Sequence, residues 1–279
     1  MLDNSQKLNQ AYHLREADIH FFRENGFAKL KNVFPPEILN YYGVIITQKV
    51  IELNTMHLPI EERDTYQRAF LQVMNIWRES DIVKEFIMGK RLARIAAELM
   101  GTAGVRLYHD QALYKEPSGG ITPWHADQYY WPLETDKTVT AWVPLQETPL
   151  ETGPMAFAAK SHQFSVGRDL PISDESEAKL QKALKEANFD HVNEPFELGE
   201  VSFHYGWTFH NAGANTTDKP RRVMTVIYMD EKMRLKAPAN DNQQKDWESW
   251  CPGAEIGELI ATKINPVIYS KKTASHVAG

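Results

Sequence analysis

His125 and Asp127, in Trp124-His125-Ala126-Asp127, are the residues of this 279-residue chain whose types and spacing most directly imply chemistry. An imidazole and a carboxylate make a mixed N/O donor pair, suited to Fe(II), Mn(II) or Zn(II) rather than to a thiolate-seeking ion. On a strand, residues i and i+2 project to one face, so both side chains can reach one metal. A third donor must come from elsewhere, and the candidates are His109, His162, His191, His204 and His210. We prefer His210. It lies in Phe203-His204-Tyr205-Gly206-Trp207-Thr208-Phe209-His210, read as a strand running into a turn at Gly213, and it precedes Arg221 by 11 residues. That interval leaves room for a turn and a return strand, whereas His204 has Asn215 at the same offset. Two His and one carboxylate fill one face of an iron octahedron and leave the other face to a co-substrate and O2. Arg221 adds a planar fork for a carboxylate. The four residues together point to an Fe(II) oxygenase that uses 2-oxoglutarate.

Composition narrows the alternatives. With 42% hydrophobic and 24% charged residues the chain is an ordinary globular protein. Its formal net charge of -6 argues against nucleic acid or an anionic membrane as partner, because both need a basic footprint. Cys251 is the one cysteine, so a disulfide framework is excluded, and a reducing cytoplasm is the expected location. The N-terminus opens polar, without the apolar core of a signal peptide. No run approaches the roughly 18 apolar residues of a membrane span. A small-molecule substrate and a monomer or homodimer are expected.

The elements that must position the four residues follow from periodicity. Residues 14–26 read as a helix ended by Gly26, and 27–33 alternate as a strand. Pro35-Pro36 opens a helix to about 53, and 60–100 read as mostly helical, closing at Gly101. Strand patterns follow over 105–115, 138–146, 154–158, 195–204 and 222–229, with one amphipathic helix inserted over 174–188. The expectation is a mainly β fold with a helical buttress: helices over 1–103, a sandwich or jelly-roll core over 104–235, and a polar, irregular tail over 236–279, loose from Lys271. The whole is read as one domain.

Several blocks in order resemble the phytanoyl-CoA dioxygenase family of Fe(II)/2-oxoglutarate oxygenases. Phe21-Phe22-Arg23-Glu24-Asn25-Gly26-Phe27 looks like the family's entry helix and first strand. Leu113-Tyr114-Lys115-Glu116-Pro117-Ser118-Gly119-Gly120 with Pro123-Trp124-His125-Ala126-Asp127 looks like its metal block. Ala141-Trp142-Val143-Pro144-Leu145, Glu151-Thr152-Gly153-Pro154-Met155 and Ser161-His162 look like its centre, and the segment from Gly199 through His210 like its distal block. The resemblance implies a double-stranded β-helix. It implies that His125, Asp127 and His210 bind Fe(II) and that Arg221 holds the distal carboxylate of 2-oxoglutarate. It places Trp142, Thr140 and Gln111 beside that cosubstrate, with Gln72 and Asn75 as weaker candidates. Some relatives carry a hydroxyl two residues after the distal His, where this chain has Ala212. The carboxylate at Asp127 separates the chain from related halogenases, which replace it with a small residue. The implied reaction is hydroxylation of a small molecule with O2, releasing succinate and CO2.

Other readings compete. A non-catalytic jelly roll binding a metabolite need not keep all four residues. A zinc hydrolase would leave Arg221 unexplained. Tyr129, Tyr130 and Trp131 follow the metal motif and are candidates for substrate contact, with strand packing the plainer role. Trp207 and Phe209 read as core, His162 as a loop-ordering residue, and His204 as a buried neighbour of the site. Alternation should turn one of Arg221 and Arg222 inward, and Arg221 is preferred. The charged start at 174–179 reads as a solvated helix face.

Overall fold

The computed structural model describes residues 3–271. Its first part holds α1 (Asn4–Asn9), α2 (Glu16–Asn25), β1 (Phe27–Leu30), α3 (Pro36–Leu53), α4 (Thr65–Ala69), β2 (Leu71–Met74), α5 (Asp81–Ile87) and α6 (Lys90–Met100). There follow β3 (Gly104–Lys115), β4 (Thr122–His125), β5 (Thr138–Pro144), β6 (Met155–Ala158), α7 (Asp174–Glu186) and β7 (His191–Asn193). The chain continues through β8 (Val201–Tyr205), β9 (His210–Ala212), β10 (Arg221–Asp230), α8 (Asp241–Trp250) and β11 (Val267–Ser270). Local signals explain the boundaries. Gly26 ends α2 with φ +84°, a left-handed conformation that costs glycine little. Pro36 opens α3, where its missing N–H is not needed.

The strands form two antiparallel sheets. The larger runs β1-β8-β5-β10-β3-β11, with β2 also paired to β3, and the smaller runs β4-β9-β6-β7. Two such sheets facing each other make a jelly roll with helices on the outer face of the larger sheet. Strand β10 shows how one sequence serves both faces. Met224, Val226 and Tyr228 pack among helix residues such as Tyr42, Phe86 and Leu99, whereas Val223 packs with Trp142 and Phe157 between the sheets. A third cluster, Trp124, Phe209, Leu180 and Leu184, joins α7 to the smaller sheet.

Three sequence expectations need correction. Residues 71–74 are strand, not helix, because Leu71–Met74 pairs with the exposed edge of β3. Residues 195–200 lie outside the strand, which starts at Val201. The tail is not irregular: α8 is capped by the Asn240 side chain, and β11 pairs with β3. Asn265 ties it down further by donating to the carbonyls of Leu107 and Tyr108. The loose end expected from Lys271 lies, past that residue, outside the described residues. No helix among the described residues is long and apolar enough to cross a membrane.

Buried Leu99 sits between α6 and the larger sheet, whereas Val44 on α3 is 66% exposed. Leu99→Ala should therefore cost about 2–5 kcal/mol in denaturant unfolding. Val44→Ala should stay within about 0.5 kcal/mol of the parent.

Candidate active site

The site begins with one strand pairing. His125 ends β4 and His210 begins β9, and the two stand directly opposite each other. Their ring centroids are 4.1 Å apart. Each ring is turned by its own backbone. Nδ1 of His125 lies 2.7 Å from the carbonyl of Pro123, and Nδ1 of His210 lies 2.9 Å from that of Thr208. A carbonyl only accepts, so Nδ1 carries the proton in both rings and Nε2 keeps a free lone pair.

Both lone pairs meet Asp127. Its Oδ1 is 3.6 Å from His125 Nε2 and 3.7 Å from His210 Nε2. All three donor atoms lie within 4.8 Å of one another, a spacing one metal ion can bridge. Asp127 does not sit on the strand, as i/i+2 alternation predicted. It opens a single 3-10 turn over Asp127–Tyr130, and it still reaches the site because Ala126 before it stays extended. The other carboxylate oxygen is held by Thr140 Oγ1 at 3.2 Å and faces His204 Nε2 at 3.4 Å.

His204 reaches the site by an unexpected route. One regular strand from 203 to 210 does not exist. The chain leaves the larger sheet at Tyr205 and enters the smaller one at His210, so the two His approach from facing sheets, with ring centroids 4.5 Å apart. Burial pushes His125 and His210 down to about 4, each pushed further by a neighbouring imidazole. Both are neutral at physiological pH, as metal ligation requires. Burial raises the Asp127 carboxyl, but imidazolium charge at the surrounding rings, His210 first, and the hydrogen bond from His204 outweigh it at the acid end and hold the group far below the ordinary range.

A cavity of about 510 Å³ opens over these groups. Arg221 lies on its wall, 2% exposed, with its guanidinium 5.4 Å from the Trp142 ring. It donates through Nη1 to the carbonyl of Gly153, and its Nε has no hydrogen-bond partner among the described residues. Gly153 holds φ +69°, and a Cβ there would lie 2.1 Å from the carbonyl oxygen of Gly213, so only glycine presents this acceptor. Arg222 turns away and donates to Gln146. Thr140, Trp142 and Gln111 also line the cavity. Gln72 joins them, donating to Gln111 at 2.6 Å and accepting from Tyr66 at 2.9 Å. Asn75 does not line it; its side chain accepts from Trp77.

Sequence reasoning missed several residues. Lys115 stands opposite Arg221 across β3 and β10, fully buried, donating to the carbonyl of Gly120 with Thr122 Oγ1 at 3.4 Å. Neither cation forms an ion pair among the described residues. Burial and the charge of Arg221 push Lys115 down to about 6, and burial pushes Arg221 down to about 9, which still leaves it charged. Period 2 from Gln111 through Leu113 would have found Lys115. Thr122 is paired to Ala212, so a hydroxyl stands on the neighbouring strand beside the position where Ala212 has none. Tyr66, Asn242 and Asp246 also line the cavity, as does His109, a ligand candidate in the sequence that stands outside the donor group, and Asn242 and Asp246 come from α8, which had no sequence signal. Of the aromatic run, Tyr130 and Trp131 reach the cavity. Phe209 is core, and Trp207 stacks with Arg168. His162 stacks on Tyr205, and its carbonyl accepts from Arg168. The start of α7 is more than a solvated face, because Glu177 accepts from the backbone N–H of Trp124.

Comparison with known proteins bears on the family and the fold. The family model described as Phytanoyl-CoA dioxygenase (PhyH) matches residues 22–223. A probable alpha-ketoglutarate-dependent hypophosphite dioxygenase of Stutzerimonas stutzeri is 23% identical over 223 residues, covering 74% of this chain and 76% of that protein. The epimerase SnoN, solved with Fe3+, alpha ketoglutarate and nogalamycin RO, superposes with a TM-score of 0.76 at 23% identity, over 91% of this chain and 98% of its own. The carbocyclase SnoK gives 0.75 at 22% identity, over 92% and 97%. These structural likenesses bear on the fold, a cupin-like jelly roll.

Removing a donor and removing its support should differ in degree. Thr140→Val takes a hydrogen bond from Asp127 and should weaken divalent-metal binding about 10–100-fold. His210→Ala should weaken it more than that, with calorimetric titration as the measurement.

Proposed function

The chain belongs to the phytanoyl-CoA dioxygenase (PhyH) family, and from that premise we propose that it is an Fe(II)- and 2-oxoglutarate-dependent dioxygenase hydroxylating a small molecule. The observation that carries the reading is the convergence of three donor atoms within 4.8 Å beneath a cavity that also holds a buried, partly unpartnered arginine. The donor chemistry fits iron: two neutral imidazoles and one carboxylate, with no thiolate. The arginine fits a carboxylate, since its guanidinium is buried and no ion pair involves it among the described residues.

His125, Asp127 and His210 would hold Fe(II). Arg221 would pair with the distal carboxylate of 2-oxoglutarate, with Trp142 packed beside it and the Thr122 hydroxyl close by. Gln111 and Thr140 line the same space. Iron with 2-oxoglutarate and O2 would supply the oxidising equivalent, yielding succinate and CO2 along with the oxidised product. Thr140 and the two backbone carbonyls keep the donors aimed before anything binds, so little reorganisation is needed. The aromatic walls limit water. The presence of Asp127 favours hydroxylation over halogen transfer, because no coordination position is vacated by a small residue. The cavity suits a metabolite, and beyond Arg221 its lining offers no basic side chain for the phosphates of a CoA thioester.

Succinate release from anaerobically reconstituted protein, on admitting O2, is the direct test. Wild type should turn over 2-oxoglutarate slowly without substrate, and His210→Ala should not. Arg221→Ala should need roughly 30-fold more 2-oxoglutarate or beyond, the scale of losing one partner of a buried charge pair. Absence of both succinate and iron-dependent 2-oxoglutarate binding in wild type would overturn the proposal.

Lys115 yields a pH signature. Above about 6 it is mostly neutral. An anion bound beside it raises its affinity for protons, so 2-oxoglutarate binding at pH 7–8 should take up protons. The uptake should fade below about 6, where Lys115 is already charged. Calorimetry in buffers of different ionisation enthalpy reads the uptake, and Lys115→Met should abolish it.

A further inference from the structure

One carboxyl group of the cavity wall is left over once the metal donors and the cosubstrate arginine are assigned. Asp246 projects from α8 into the cavity. It accepts hydrogen bonds from Tyr108 and from Trp250. Tyr108 points inward because β3 carries a bulge there: Ile227 pairs with His109 and Tyr228 with Leu107, so Tyr108 is skipped. His109, next along, also lines the cavity and packs against Trp250 with centroids 5.0 Å apart. Burial keeps that imidazole neutral, down to about 4. No ion pair involves Asp246 among the described residues. The helix itself is fixed to the turn that starts at Asp127, since Gln243 donates to the Tyr129 carbonyl at 2.9 Å and Asn242 to its hydroxyl at 3.3 Å.

We propose that Asp246 is a substrate-recognition residue that takes a protonated amine, so that the molecule oxidised carries an ammonium group. A carboxyl group oriented by two neutral donors, with no ion-pair partner among the described residues, lacks only its counter-charge. An alcohol or amide could fill the hydrogen bond but not the charge. An anionic group would meet both Asp246 and Asp127. The rings of Tyr66, Tyr130 and Trp131 give the same chamber aromatic surface, which a desolvated ammonium tolerates well. Burial raises the Asp246 carboxyl to about 8, aided by the charge of Asp127, and an arriving ammonium would reverse that. Calling this ligand the substrate rests on the oxygenase function proposed above.

The test uses probes of one shape and different charge: benzylamine, benzyl alcohol and benzoate. Each is titrated calorimetrically, without O2, into protein carrying Fe(II) and 2-oxoglutarate. Benzylamine should bind at least roughly tenfold tighter than benzyl alcohol, the scale of one charge-assisted hydrogen bond, and benzoate weakest. Asp246→Asn keeps the shape and the acceptor for Tyr108, and should erase the amine preference while still binding the alcohol. The amine-to-alcohol ratio is measured on metal-free protein as well, where it should persist. A failure of iron or 2-oxoglutarate to bind, which counts against the oxygenase, therefore leaves this result readable. No detectable amine binding, an alcohol or benzoate bound as tightly as the amine, or a preference that survives in Asp246→Asn would overturn the subsite.

Discussion

The candidate site hangs on one backbone constraint, the antiparallel pairing that sets His125 against His210. Strand geometry brings opposed residues to within about 4.5–5.5 Å, which is why two imidazoles from segments 85 residues apart come into ring contact. The carbonyls of Pro123 and Thr208 then turn each ring the same way. Everything else is arranged around that pair. The 3-10 turn brings Asp127 beneath it, the larger sheet brings Thr140 and His204 to the far carboxylate oxygen, and β10 carries Arg221 up the wall.

The helices on the outer face of the larger sheet contribute by keeping that sheet from shifting. Residues such as Leu99, Tyr42 and Phe86 bury one side of β3, β5, β8 and β10, so the inner side can be given over to polar groups. A sheet with one face so heavily polar needs its stability from the other face. Arg221 and Lys115 are buried side by side, and neither pairs with a carboxylate among the described residues, a cost that Lys115 lowers by giving up its proton above about 6.

Much of this was legible in the chain itself, and the failures have physical causes. Periodicity located most of the strands, and the i/i+2 spacing with the Arg221 offset singled out the side chains that converge. The strand at 71–74 was missed because a four-residue edge strand is too short to outweigh helical patterns on both sides. The break between Tyr205 and His210 was missed because a corner between sheets keeps the alternating look of a strand. Lys115 was passed over because lysine usually marks solvent. Asp246 had no local signal, since its role depends on α8 folding back over a turn more than 100 residues earlier.

That return of α8 gives the cavity part of its wall from beyond the family match. The family match ends at residue 223, and α8 begins at Asp241. The cavity thus takes most of its lining from within the match, and Asn242 and Asp246 from a segment outside it. A change in α8 therefore reaches the cavity wall without passing through the strand pairing that sets His125 against His210.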